Sequence, residues 1–285
     1  MMKLELDGWT VLSLTDAAPP PVTWTSAFPH DAPATDDTAL SQEAPDRMFH
    51  TRFTVLALRR GDRVALVDAG IGPGPSAYFG GLEGGLDRAL ADHGIAREQV
   101  NCVAFTHFHL DHVGWASHDG SAWFPNARYV APAAELAHWA EAGSAAALQH
   151  HVEAFERHVS PLIAQGRIVA ADDGCSPEGW PELAYRAAHG HTVGHCALVL
   201  SARRPLLIAG DAWHSPVQIQ RPDWCHRADR NRPAAIRSRS ALADWALAND
   251  AVIAAGHFPP GREFGRILRT AGGQNRFEAI EGPEG

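Results

Sequence analysis

The chain has 285 residues, 45% of them hydrophobic and 20% charged, enough apolar material for a sizeable core. Its formal net charge of −9 argues against a protein whose main task is to neutralise nucleic-acid phosphates, and suits a small, neutral or apolar substrate. The N-terminal MMKLELDGWTVLSL lacks the apolar core of a secretory signal. No run approaches the roughly 20 apolar residues of a membrane span. Cys102, Cys175, Cys196 and Cys225 form no CxxC pair and read as free thiols in a reducing compartment. The expectation is a cytoplasmic protein with no membrane contact.

In chain order, Met2–Leu14 alternates as one strand. Residues 16–47, with Pro19-Pro20-Pro21, form an irregular arm too long for a passive connector. It either lines an apolar substrate site through Trp24, Phe28 and the prolines, or lies as a solvated loop. Phe53–Leu58 and Arg63–Val67 flank the turn Arg60-Gly61-Asp62 as two strands. Leu86–His93 reads as a helix stopped by Gly94. Val100–Phe105 and Ala127–Ala131 are apolar strands, and Ala133–Ala140 and Ala145–His158 are helices. Strands follow at Ile168–Ala171, Leu183–Ala188, Cys196–Ser201 and Leu206–Ala209. A helix over Ala234–Ala248 precedes the strands Ala251–Ala255 and Phe264–Arg269. No linker divides residues 1–285, and strict βαβ alternation is missing. The pattern suits one α/β domain: two mixed sheets face to face with helices outside, an αββα sandwich.

The chemistry is concentrated in 17 histidines and their spacing. Thr106-His107-Phe108-His109-Leu110-Asp111-His112 follows directly on an apolar strand. Extended backbone points side chains i and i+2 the same way, so His107 and His109 reach one cation. A turn then brings Asp111 and His112 toward a second, while Phe108 and Leu110 anchor the loop in the core. Imidazole and carboxylate suit zinc and neighbouring first-row metals. Three later segments repeat the arrangement: Gly190-His191-Thr192-Val193-Gly194-His195, Gly210-Asp211 and Gly256-His257. Each sets a ligand type just past an apolar strand, after a glycine that permits a tight turn.

These motifs, HxHxDH, GHTxGH, GD and GH in that order over roughly residues 50–270, resemble the metallo-β-lactamase superfamily. The resemblance implies that His107, His109 and His191 hold one metal, that Asp111, His112 and His257 hold the other, and that Asp211 bridges both. Aspartate rather than cysteine at the bridge resembles the hydrolase branches: lactonases, glyoxalase II and organophosphate hydrolases. A redox diiron site is disfavoured, because that branch has an acidic residue where His109 stands. Asp68 in the DxGxG-like loop and His195 are expected behind the ligands, orienting them. Gly114-Trp115, Phe124-Pro125-Asn126-Ala127, Glu135 with Trp139, Asp211 through Gln218, Arg232-Pro233, Arg237 and Gly256-His257-Phe258-Pro259 resemble the branch of acyl-homoserine-lactone lactonases and methyl parathion hydrolase.

Two divalent ions about 3.5–4 Å apart share a water acidified to near neutrality, and the bridging hydroxide attacks a carbonyl or phosphoryl centre. Asp111 is a candidate proton relay beside that nucleophile. His214, three residues after Asp211, is either a hydrogen-bond donor to the developing oxyanion or a surface histidine on the next helix. His150, His151 and His158 read as surface or helix-packing residues. Arg221, Arg227, Arg230, Arg232, Arg237 and Arg239 read as an ion-paired loop and helix with Asp223, Asp229 and Asp244. The expectation is a hydrolase that opens lactones, acyl-homoserine lactone among them, or cleaves related esters. Phosphotriester or aryl-ester cleavage on the same centre is the nearest competitor. Thioester hydrolysis of the glyoxalase II kind, nucleic-acid cleavage and a non-catalytic binding protein rank below. Zinc is the expected metal, with Mn, Fe or Co accepted by the same donors. A homodimer is common among such relatives.

Overall fold

The computed structural model describes residues 2–31, 46–142 and 148–280. The first stretch forms two strands, β1 (Lys3–Leu6) and β2 (Trp9–Ala17), where one was expected. Asp7 and Gly8 both take positive φ (47° and 81°), the backbone of a tight two-residue hairpin turn, and β1 folds back antiparallel on β2. Asp16 and Ala17 thus belong to a strand, not to the arm. The arm supplies the short strand β3 (Val22–Thr23) and a helical turn, Trp24–Ala27, whose N-cap Thr23 accepts from the Ser26 amide. Its residues 32–45 lie outside the described residues.

Strand β4 (Met48–Phe49) pairs with β3; β5 (Phe53–Arg60) and β6 (Arg63–Val67) follow as a hairpin. After the helix Leu86–Ala91 come β7 (Val100–Ala104), the helical turn Leu110–Val113, and the small hairpin β8 (Ser117–His118) and β9 (Ser121–Ala122). Strand β10 (Arg128–Pro132) leads into the helix Ala133–Ala142. The expected helix from Ala145 is described from Gln149 to His158; residues 143–147 lie outside the described residues. Helix Ser160–Ala164 precedes β11 (Ile168–Ala171). The second half contributes β12 (Leu183–Ala187), β13 (Cys196–Leu200), β14 (Leu206–Ile208), the 17-residue helix Arg232–Ala248, and β15 (Val252–Ala254), β16 (Phe264–Arg269) and β17 (Asn275–Ala279). Sequence reading missed β17, whose only buried residue is Phe277.

Two mixed sheets result, ordered β1-β2-β5-β6-β7-β10-β11 and β12-β13-β14-β15-β16-β17. Leu56, Leu58, Val67, Cys102 and Ala104 of the first pack against Tyr185, Leu198, Leu206, Ile208 and Val252 of the second. Leu86, Leu90, Trp139, Phe155 and Leu162 cover the outer face of the first sheet, and Leu242, Ala243 and Ala246 that of the second. Full burial of each large apolar side chain contributes about 1.5–3 kcal/mol. This is the expected αββα layering.

Strand direction decides where the loops emerge. Strands β6, β7 and β10 run parallel, so their C-terminal ends share one edge of the first sheet. Strands β12 and β14 both run antiparallel to β13, and β15 runs parallel to β14, so these three also end at a common edge. No helix among the described residues is long and apolar enough to cross a membrane.

Candidate metal centre

The loops leaving those edges carry Asp68, His107, His109, His191, Asp211 and His257, with Asp111 and His112 on the turn Leu110–Val113. Ligand-type atoms of His107, His109, His191 and Asp211 lie within 4.8 Å of one another, as do those of Asp111, His112 and His257. All seven sequence-predicted ligands are therefore brought together. Asp211 sits between the two groups. Its Oδ2 is 3.0 Å from His257 Nε2, 3.2 Å from His191 Nε2 and 3.8 Å from His107 Nε2, and its Oδ1 is 3.2 Å from His112 Nε2. Asp111 Oδ2 lies 3.7 Å from both His112 Nε2 and His257 Nε2. Donors about 2.0–2.1 Å from a tetrahedral ion stand roughly 3.3 Å apart, so spacings of this size would suit residues that hold a metal.

The ring tautomers agree. His112 Nδ1 faces Asp68 Oδ2 at 2.8 Å, His191 Nδ1 faces Asp229 Oδ1 at 3.0 Å, and His257 Nδ1 faces the Arg52 carbonyl at 2.7 Å. Those oxygens only accept, so each Nδ1 carries the proton and each Nε2 keeps its lone pair for the centre. Thr106 Oγ1 spends its hydrogen on Asp68 and accepts from His107 Nδ1 at 2.9 Å, with the same consequence. His109 uses the other nitrogen: its Nδ1 lies 3.0 Å from His191 Nε2. His107 Nε2, His112 Nε2 and Asp211 Oδ1 are buried without a hydrogen-bond partner. Orphaned acceptors at such cost are what a cation would satisfy, and the donor set fits divalent metal.

Without a cation, burial pulls the His107 and His109 imidazoles well below their ordinary value. Burial also opposes charge on His112, yet Asp211, Asp68 and Asp111 carry it well above the usual histidine range. Asp211 behaves likewise: burial resists ionisation, but His257, His112 and His191 hold its carboxyl well below the carboxylate range. Donors of this kind would have to be deprotonated to hold a metal ion, so its binding would depend on pH.

The supporting residues do specific work. Asp68, itself at φ 65°, accepts from the Thr106 amide at 2.7 Å as well as from His112, so it fixes both the strand exit and one ligand. His195 donates from Nδ1 to the Ala188 carbonyl and accepts the Asp211 amide at Nε2, each at 2.9 Å; burial pushes its pKa down to about 3 and keeps it neutral for that double role. Gly210 (φ 53°) and Gly190 (φ 130°) answer to the expected turns: a Cβ would meet His195 Nε2 at 2.6 Å and the Ala235 backbone nitrogen at 2.1 Å, respectively. Gly256 differs, because it takes no positive φ and is not held to glycine by turn geometry. Glu135, fully buried, ties two ligand loops together. Its Oε1 accepts from the Phe108 amide (3.2 Å) and Trp139 Nε1 (2.8 Å), and its Oε2 from Thr192 Oγ1 (2.7 Å) and the Gly194 amide (2.9 Å).

Several expectations need correction. His214 is not a surface residue: it is 3% exposed, with Nε2 3.3 Å from Asp211 Oδ2. Nor is His151 merely a helix-packing residue: its ring stacks on His109 at 3.9 Å, and its Nδ1 accepts the Leu110 amide. His150 continues the stack to Tyr78 at 3.7 Å. His158 does pack its helix, bonding to the Ser117 carbonyl. The described part of the arm is not a solvated loop. Trp24 and Phe28 are buried with Phe49, Val217 and Trp224, and Phe28 meets the ring of His226, which stacks on His214 at 3.9 Å. Of the arginine cluster, Arg239 pairs with Asp229 at 3.0 Å as expected, whereas Arg232 pairs with Asp31 at 2.6 Å and Asp244 with Arg269. Asp229 was read only as a loop carboxylate. Its grip on His191 is set by a contact across 38 residues that no local pattern announces.

The chain was compared with known proteins. No curated protein sequence matches it. Among solved structures, the hydrolase AbOPH of the beta-lactamase superfamily superposes with a TM-score of 0.86 at 23% identity, covering 99% of this chain and 98% of that one. AidC, a dizinc quorum-quenching lactonase solved with the product N-hexanoyl-L-homoserine, gives 0.78 at 20% identity and covers 99% and 98%. A probable metal-dependent hydrolase from Staphylococcus aureus gives 0.78 at 16%, covering 99% and 100%. At such identities the likeness concerns the fold. The family profile is the stronger finding: it matches residues 53–257, most of the chain and every proposed ligand. With that span matched and the His/Asp cluster assembled where both sheets end, the chain belongs to the metallo-β-lactamase superfamily.

Proposed function

We propose that this protein is a dinuclear metal-dependent hydrolase that opens lactones or cleaves related esters of small, neutral or apolar substrates. His107, His109 and His191 hold one ion, Asp111, His112 and His257 the other, and Asp211 bridges them. The observation that carries the reading is the position of Asp211, a buried carboxylate that meets ligand atoms of both groups: His107 and His191 through Oδ2, and His112 and His257 through Oδ1 and Oδ2. Zinc suits the donors best, and Mn, Fe or Co are the alternatives. Two such ions supply an acidified water as nucleophile and Lewis acidity at the electrophilic oxygen.

The chain's own residues do the rest. Thr106, Asp68, Asp229 and the Arg52 carbonyl hold four imidazoles in one tautomer, so the centre needs little reorganisation. Asp111 is the least enclosed of the seven, its side chain 13% exposed, so with Oδ2 facing His112 and His257 its other oxygen is the one to pass a proton. Phe53, edge-on to His257 at 5.9 Å and packed on Phe79 at 4.6 Å, gives the approach an apolar wall that excludes water. The dizinc lactonase AidC has the same fold, which supports lactones as the first class to try.

The test is proton release from γ-lactones, including a long-chain acyl-homoserine lactone, against aryl esters and phosphotriesters, with metal-replete protein. Ring opening in the wild type, lowered about 10²–10⁴-fold in an Asp111→Asn variant that keeps its metal, is the expected result. Silence on every lactone with turnover of phosphotriesters would replace the lactonase reading with its competitor.

A further inference from the structure

Asp211 Oδ2 collects one imidazole more than the family motifs account for. Besides His107, His191 and His257, the His214 Nε2 lies 3.3 Å away, closer than His107 at 3.8 Å. Asp211, His214 and His257 place one ligand atom each within 4.8 Å of one another, a third group of metal-holding geometry overlapping the second. The His214 ring lies parallel to that of His257, 5.0 Å away at 5°, and is sandwiched on its other side by His226 at 3.9 Å and 19°. We propose that His214 is a protein ligand of an ion it shares with Asp211 and His257.

The argument is geometric. Donor atoms around one ion stand roughly 3.3 Å apart, and His214 and His257 approach one carboxylate oxygen at 3.3 Å and 3.0 Å, spacings that would suit a shared ion. His214 is 3% exposed, with its Nε2 turned to the Asp211 carboxylate. The way the ring is held also sets it apart. Four of the motif histidines have Nδ1 pinned by an oxygen, whereas His214 Nδ1 is buried with no partner. Stacking between His226 and His257 fixes the ring plane, but no hydrogen bond at Nδ1 fixes which nitrogen carries the proton. Ligation of this kind is therefore expected to be weaker than that of the motif histidines. The aromatic box of Phe28 and Phe49 around His226, 5.7 Å and 5.9 Å away, backs the stack and gives the N-terminal arm a role in placing a ligand.

This assignment rests on the dinuclear reading above and replaces the alternative in which His214 only donates a hydrogen bond to substrate. The test is titration of cobalt(II) into metal-free wild type, His214→Phe and His214→Gln, read by visible absorption and binding stoichiometry, with circular dichroism melts of the metal-free proteins as the check on folding. Phenylalanine keeps the stacked ring and removes the nitrogen; glutamine removes the ring. Two ions in the wild type, with one binding step weakened about 10–100-fold or more in both variants and its ligand-field bands altered, are expected. Two ions bound with unchanged affinity and spectrum in both variants would overturn the assignment alone and return His214 to a substrate contact. A wild type that binds a single ion would overturn the dinuclear reading and this assignment with it.

Discussion

Asp211→Ala is expected to abolish hydrolysis, lowering kcat/KM by about a thousandfold or more, and to leave the protein with less than its full metal complement. The reason is position. One carboxylate faces His191, His257 and His107 through Oδ2 and His112 through Oδ1, so its removal would take a donor from both proposed ions and an anion from between four imidazoles. Lewis-acid stabilisation is worth several kcal/mol, and each 1.36 kcal/mol is tenfold in rate. Asp211→Asn keeps one oxygen but replaces the other with an NH₂, which has no lone pair to offer a metal ion, and should be nearly as inactive. Steady-state kinetics with metal analysis of the same samples checks this. A variant that retained both ions and more than a tenth of the activity would remove Asp211 from the bridge.

The second large effect belongs to a residue that touches no metal. Glu135 receives four donors: Phe108 N and Trp139 Nε1 on one oxygen, Thr192 Oγ1 and Gly194 N on the other. Phe108 lies between His107 and His109, and Thr192 follows His191, so this side chain sets the distance between two ligand loops. Gly194 packs so closely that a Cβ there would stand 2.1 Å from the Glu135 amide nitrogen. Glu135→Ala leaves buried donors unpaired at about 1–3 kcal/mol each, and a total near 4 kcal/mol is expected after relaxation. For a chain of this size that is a fall in Tm of about 8–16 °C. Glu135→Gln should not rescue it, because its NH₂ would face two donors. Thermal melts of both variants check the claim. A glutamine variant with wild-type Tm would mean that the loops are spaced by packing alone.

What could be read from the sequence follows a physical divide. The seven candidate ligands could be picked out because each sits one or a few residues beyond an apolar strand, and strand ends in such a sandwich converge on a rim. The layers were legible because runs such as Val100–Ala104 are short, apolar and bounded by turns. The misses are of two kinds. Asp7-Gly8 is a local hairpin signal that a longer alternating run concealed, and β17 is a polar edge strand with little burial to reveal it. The rest are contacts between distant segments: His151 on His109, Asp229 on His191 and Phe28 on His226. Their residue types are common on helices and loops, and only the fold makes them neighbours of the centre. His214 lies between these cases, since its spacing from Asp211 was visible but its burial was not.

The account stands or falls on the centre being dinuclear. Native mass spectrometry of metal-free protein titrated with zinc counts ions per chain directly. Two bound zinc ions in the wild type, reduced in Asp211→Ala, are the predicted result; a mass that saturates at one zinc, with Asp211→Ala unchanged, would contradict it.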